Sequence, residues 1–306
     1  MTTDFRPLRF VDLCVYPDFD DQSQSWYYLM PCVNCSIVVK ACIRSFNVHT
    51  LRGQGGIELM ETGGSGQGQY DEYLQRYRRR EWRARIFHDL IARDIRAAGN
   101  GCVVLDIGCG GGFDDDLPLQ KSLAALSGRY IGIEPDAHVE PGAHVAEIHR
   151  CLFEQAPIQP GSIDVAFAVM VLEHVQNPQH FWGKVHEILK PGGIFWGMTV
   201  DGRSLFAKAS FWLEQLHVKE LYMRWLRGRR GEERYLNYPV FYRCNTPRQI
   251  EAETQGFAEH HVINFSGVGQ HRHAFPQWLY PLSDQFDRWI VNNNKPGTLL
   301  MLRLVK

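Results

Sequence analysis

At 306 residues, with 33 Lys and Arg against 34 Asp and Glu and a formal net charge of −1, the chain is long enough to bury a large core and too evenly charged for nucleic-acid binding to be its main business. Its strongest apolar run, residues 163–172, falls far short of the roughly 20 residues of a membrane span, and Asp4 and Arg6 precede no apolar block that would mark a secretory leader. The 8 cysteines are scattered and read as reduced thiols, so the expected location is the cytoplasm.

Residues 1–69 are expected to be an N-terminal extension, irregular or not native. Cys14, Cys32, Cys35 and Cys42 invite a zinc reading, but their spacing matches no common ribbon. Met60 and the Gly-rich stretch after it suit an alternative start with a flexible leader. From Tyr70 the pattern turns helical, with Trp82, Ile86, Leu90 and Ile91 on one face; the arginines at 76, 78, 79, 80, 83 and 85 read as a solvated face. That helix is expected to cover an edge of the sheet.

Residues 103–112, Val-Val-Leu-Asp-Ile-Gly-Cys-Gly-Gly-Gly, read as a buried parallel strand that ends near Asp106 and delivers a glycine-rich loop to a nucleotide-like ligand. The glycines permit positive φ and close approach of main chain to the ligand, and Asp106 supplies a fixed acceptor. The next strand, Arg129 to Ile133, is followed by Glu134, where a carboxylate accepts from ribose hydroxyls. A dinucleotide fold would want a small residue where Phe113 stands.

Ser162 to Val169 reads as a fourth strand, followed by Leu172-Glu-His-Val175. Asn177-Pro178 caps a helix with Phe181, Val185, Ile188 and Leu189 on one face and Lys190 in its last turn; Pro191 and Gly192 stop it before a strand from Ile194 to Thr199. Thr246-Pro-Arg-Gln249 is a capping box for a helix ended by Gly256, and strands follow at 258–265 and 298–305. Strand and helix in alternation imply an α/β, doubly wound sheet.

These motifs, in this order and spacing, resemble the class I S-adenosylmethionine-dependent methyltransferases, in particular the type 11-like bacterial group. The resemblance covers roughly residues 70–200 and more loosely the rest. It implies a seven-stranded, mostly parallel Rossmann-like sheet with the last strand antiparallel, S-adenosylmethionine as cofactor, and cofactor contacts from Asp106, Gly108, Gly110, Glu134, Phe153 and Met170. His174 is the candidate base, since its loop opens beside the methyl group in this family; packing against the cofactor's methionine end or hydrogen-bonding a carbonyl is the alternative. Glu173 is expected to bond loop amides. Two departures stand out. Where relatives place an aspartate for the adenine amine this chain has Leu152, with Glu154 or backbone near Phe153 as substitutes. Met170 replaces an acidic residue that ubiquinone-pathway O-methyltransferases carry before the histidine, so no metal is expected.

The methyltransferase domain is taken as 70–306, with helical insertions at about 204–240 and 267–290. The first carries Trp212, Trp225 and several basic residues and reads as a helix packed on its own domain in preference to one on a membrane surface. Tyr242 and Arg243 belong to a Tyr-Arg-x-Asn-Thr stretch similar to one in a subset of these enzymes and are candidate acceptor contacts, a guanidinium fork suiting an anionic or polyhydroxyl group. His271 and His273 lack a third ligand nearby. The expected activity is O-methylation of a small-molecule or glycan-like acceptor; a non-catalytic cofactor-binding module acting through a partner is the alternative. No nucleic-acid partner is expected, and the oligomeric state stays open.

Overall fold

The computed structural model describes residues 68–205, 207–208, 239–272, 275 and 277–306. Strands β1 (Val103–Ile107), β2 (Arg129–Ile133), β3 (Glu147–His149), β4 (Ile163–Val169), β5 (Leu189–Val200), β6 (Glu259–Phe265) and β7 (Leu299–Val305) form one sheet. Their order is β3-β2-β1-β4-β5-β7-β6. The first five pair in parallel, and β7 runs antiparallel to both β5 and β6. The chain therefore reverses its direction of travel across the sheet between β1 and β4, the switch point at which the loops leaving two adjacent strands diverge and open a crevice.

Because side chains alternate along a strand, each strand feeds two cores. Val104, Val165, Phe167, Trp196 and Met198 pack with helix α2 (Arg83–Ala98) on one face, while Leu105, Ala166, Ala168 and Phe195 pack with helix α4 (Pro178–Ile188) on the other. Helix α1 (Asp71–Arg78) precedes α2, α3 (Leu117–Leu126) follows the glycine loop, α5 (Pro247–Glu253) precedes β6, and α6 (Tyr280–Asn292) links β6 to β7.

Several local expectations change. The single helix expected from Tyr70 is two, broken at Arg80, whose φ of +70° no helix accommodates. Trp82 falls at the N-cap of α2 and is 44% exposed, so the buried face is Ile86, Phe87, Leu90, Ile91 and Ile95. That face covers the sheet, not its edge. Nor are the arginines simply solvated: Arg76 pairs with Glu81 and Asp89, Arg80 with Asp284, and Arg83 with Asp114. Lys190 leaves the helix and begins β5, where its ammonium meets Asp164 at 2.7 Å, and the same carboxylate accepts from Val103 N. At α5, Thr246 Oγ1 accepts from Gln249 N at 3.3 Å, but the Gln249 amide oxygen takes the Thr246 hydroxyl and Asn245 N instead of closing a reciprocal box.

A buried Asp94 ties the termini of the described fold together. It accepts from Trp196 Nε1 and Arg303 Nε, each at 2.9 Å, joining α2 to β5 and β7.

Candidate functional site

The glycine loop leaves β1 and folds back over β2. Gly108 N and Cys109 N both donate to Ile133 O, at 2.8 and 3.0 Å. Gly108 has a φ of +77°, and a Cβ there would stand 2.6 Å from Val171 Cγ2 on the neighbouring loop, so both backbone sterics and the close loop contact demand glycine. The turn brings Gly110 N to 2.9 Å from Glu134 Oε2, while Asp136 N donates to Glu134 Oε1 at 2.9 Å. Glu134, 5% exposed, is thus held by one amide on each carboxylate oxygen.

Asp106 is anchored beneath the loop. It is 3% exposed, and its Oδ2 accepts from Tyr130 OH at 2.6 Å and Gln120 Nε2 at 2.8 Å. Gln120 Nε2 also donates to Cys109 O at 2.7 Å, so Asp106 and Gln120 together hold the loop from beneath. Burial pushes the Asp106 carboxyl up to about 6, against the pull of Tyr130 and Gln120. Sequence reasoning missed Tyr130 and Gln120. The available signal was a glutamine among the apolar residues Leu119 and Leu123 of α3.

Phe113 fills the space that a small residue leaves in dinucleotide folds. Its ring is 1% exposed, lies 5.7 Å from Phe87 and 5.6 Å from Phe167, and α3 begins only at Leu117 after a turn in which Asp114 and Asp115 take positive φ.

Across the switch point, Met170 has a φ of +55° and turns the chain out of β4 into a 3-10 turn, Leu172–His174. His174 Nδ1 lies 3.0 Å from Pro239 O. A carbonyl only accepts, so Nδ1 carries a hydrogen and Nε2 is the ring nitrogen left to face the crevice side of the loop or solvent. Glu173 bonds loop amides, but through its carbonyl, which accepts from Phe241 N and Tyr242 N at 2.8 and 3.3 Å; its buried carboxylate takes the Thr199 hydroxyl at 2.8 Å. Desolvation raises the Glu173 pKa, with the nearby His174 opposing it.

The stretch 239–245 is therefore clamped onto the loop that carries His174. Arg243 Nη1 donates to Gln176 O at 2.7 Å, Cys244 Sγ to Leu172 O at 3.2 Å, and Asn245 Nδ2 to Thr199 Oγ1 at 2.6 Å. Tyr242, at a φ of +51°, donates through its N to Glu173 O, and the exposed Arg243 reaches Gln176 O on the same loop.

Beyond Glu134, the loop after β3 carries Leu152, 54% exposed, then the 3-10 turn Phe153–Gln155. The Phe153 ring is buried at 5.0 Å from Phe181, turned into the core.

His271 is tied to a carboxylate. Its Nδ1 meets Asp287 Oδ1 at 2.5 Å, and Asp287 Oδ2 accepts from Gly269 N at 2.7 Å, which fastens the loop after β6 to α6. Among the described residues no group of three or more His, Cys, Asp or Glu is placed to hold a metal, and no helix is long and apolar enough to cross a membrane. Cys14, Cys32, Cys35, Cys42, Met60, Trp212, Trp225 and His273 lie outside the described residues.

A family profile described as "Methyltransferase domain" matches residues 74–240. With that match over more than half its length, the chain belongs to this family, the class I S-adenosylmethionine-dependent methyltransferases of the type 11-like group. It is 27% identical over 138 residues to a Mycolicibacterium smegmatis protein named "Probable S-adenosylmethionine-dependent methyltransferase", covering 44% of this chain and 52% of that one. It is 33% identical over 113 residues to the ubiquinone biosynthesis O-methyltransferase of Pseudomonas paraeruginosa, covering 35% and 48%. Among solved structures, that of a SAM dependent methyltransferase from Archaeoglobus fulgidus aligns over 78% of this chain and 100% of its own, with 12% identity and a TM-score of 0.45. The chain spans about half the length of the curated relatives it matches.

Proposed function

We propose that the chain binds S-adenosylmethionine at the β1–β4 crevice and transfers its methyl group to an oxygen of a small-molecule or glycan-like acceptor. The observation that carries this reading is the pairing of an amide-held Glu134 beside an open glycine loop with a histidine whose tautomer is set by Pro239 O, on the two loops that flank the switch point. The names of the matched relatives support it: one is an S-adenosylmethionine-dependent methyltransferase and others are O-methyltransferases.

The residues present fit the cofactor. Glu134 stands beside the glycine loop, at the end of the second strand, where a carboxylate accepts from ribose hydroxyls. The glycine backbone at 108–112 admits a ligand that side chains would exclude, and a Cβ at Gly111 would meet nothing within 4 Å, which leaves room above the loop. When bound, the cofactor supplies a methyl carbon activated by sulfonium, open to in-line displacement with the electron pair of the broken C–S bond passing to sulfur.

The protein's share is then alignment and one proton. Met170 and the Leu172–His174 turn hold one wall, and residues 239–245 fix the imidazole. Nε2 of His174 takes the hydroxyl proton as the acceptor oxygen bonds to carbon. Tyr242 and Arg243 orient the acceptor.

The deciding experiment is calorimetric binding of S-adenosylmethionine and S-adenosylhomocysteine to the full chain and to Glu134→Ala, followed by an acceptor screen with His174→Ala as control. Affinity on the micromolar scale, roughly −8 kcal/mol, that the substitution weakens supports the reading. A folded chain that binds neither compound overturns it.

A further inference from the structure

We propose that helix α6 and the turn leading into it dock this chain on an anionic lipid bilayer, an assignment independent of the cofactor reading above.

Of the eight large apolar side chains exposed among the described residues, four fall in this one segment: Phe275 at 40%, Trp278 at 61%, Leu282 at 63% and Trp289 at 51%. Leu282, Phe286 and Trp289 recur at i, i+4 and i+7, so they form one stripe along α6, on which the Phe286 and Trp289 rings stack at 6.0 Å. Ser283, Asp287 and Ile290, at the same spacing, make a different stripe, and that one is buried. The helix therefore packs on its domain by one face and keeps a second, aromatic face unused. A concentration of exposed apolar side chains marks an interaction surface where a lone one does not.

Polar bonds fix this helix firmly. Asp284 accepts from Arg272 Nε at 2.7 Å and Arg80 Nη2 at 3.2 Å, while Asp287 holds His271 and Gly269. Past the helix, Asn264 at the end of β6 donates through Nδ2 to Lys295 O at 2.9 Å, and its Oδ1 accepts from Gly297 N at 2.8 Å. Both connections of α6 thus lie at the carboxyl end of β6. Since β7 is antiparallel to β5 and to β6, that end belongs to the rim of the sheet at which the β1–β4 crevice opens.

Charge selects the occupant. Residues 267–297 contain two carboxylates, Asp284 and Asp287, which are 6% and 0% exposed and already paired. The exposed ions of the segment are the cations Arg288 and Lys295. In a two-fold pairing with a second copy these cations would meet their own kind, with no exposed carboxylate of the segment to receive them. An anionic headgroup layer receives both, while Trp, Phe and Leu side chains enter the boundary between headgroups and acyl chains.

The experiment is co-sedimentation of the full chain with vesicles of phosphatidylcholine alone and of phosphatidylcholine mixed with phosphatidylglycerol, alongside sedimentation velocity without lipid. The native chain is expected to bind the mixed vesicles about tenfold more strongly than the neutral ones, and to be released as salt rises past about 0.5 M. The triple variant Trp278→Ser, Leu282→Ser, Trp289→Ser changes exposed positions only, and it should lose about tenfold or more in binding with the Tm kept. Arg288→Glu, made separately, should also lose binding. A native chain that stays in the supernatant, or that binds both vesicles equally, overturns the proposal. So does a triple variant that binds like the native chain, which moves the contact to another face. A native dimer that the triple variant dissociates, with no vesicle binding by either, gives the stripe to a second copy and overturns it as well.

Discussion

Gly110 N and Glu134 Oε2 stand 2.9 Å apart, so the glycine loop and the carboxylate that flank the crevice are one hydrogen-bonded unit. Neither can be changed alone. A Cβ added at Gly110 would lie 3.2 Å from that oxygen, and removing the carboxylate strips an acceptor from the loop amide.

Glu134→Ala should therefore weaken S-adenosylhomocysteine binding by about 2–4 kcal/mol, roughly 30-fold to 1000-fold, combining lost charged hydrogen bonds with a loosened loop. Glu134→Gln keeps acceptor capacity for one ribose hydroxyl and should fall between. Calorimetry on both variants checks the ranking, and equal affinity in all three proteins would refute it.

Gly108→Ala sets two penalties against each other's relief: a φ of +77° and a Cβ 2.6 Å from Val171 Cγ2. Relaxing the φ moves the loop away from Ile133 O, and moving Val171 disturbs the turn that carries His174. A destabilisation of about 1–3 kcal/mol is expected, seen as a lower Tm, together with loss of cofactor affinity.

Asp106 should make the protein less stable as pH rises. Its folded pKa, raised by burial to about 6, lies above the ordinary 3.8, so the folded state holds the proton more tightly than the unfolded state. The contribution of this group is most favourable below about pH 4, declines between about 4 and 6, and settles about 3 kcal/mol lower above that range. The difference in unfolding free energy between native chain and Asp106→Asn, measured by denaturant at pH 4 and pH 7, should shift toward Asn at the higher pH. A difference that does not vary with pH would contradict the assignment.

With His174 as the base proposed above, His174→Ala lowers kcat by about 10²–10⁴ on a hydroxyl acceptor while leaving cofactor affinity within about threefold. Arg243→Ala should act mainly on acceptor KM. A parallel fall in cofactor affinity for His174→Ala would instead place the ring against the cofactor.

Asp287→Ala removes the acceptor for both His271 Nδ1 and Gly269 N at a position that is fully buried. A loss of about 2–4 kcal/mol is expected by thermal unfolding. Cofactor affinity measured below the new Tm should stay near native.

The loop Gly108–Gly112, the carboxylate at 134, the capped helix at Asn177 and the alternation of strands and helices were legible in the chain because each depends on local chemistry: where glycine permits positive φ, where an Asx cap starts a helix, where an apolar run stops. The same reading extended the helix at Tyr70 too far, since nothing local to Arg80 announces that its backbone will turn left-handed and its guanidinium will reach Asp284, 204 residues on.

What the sequence determined by itself is the family motif order and the places of the glycine loop and of the Leu172–Val175 loop, for those are matters of spacing within one strand-loop unit. Only the tertiary structure decided what each does: that Asp106 works through Gln120 and Tyr130 from below the loop, that Glu173 binds through its carbonyl, and that Pro239 O selects the tautomer of His174, 65 residues away. Those roles depend on which donors and acceptors are buried together. Burial is a property of the packed sheet, and it is absent from any single segment of chain.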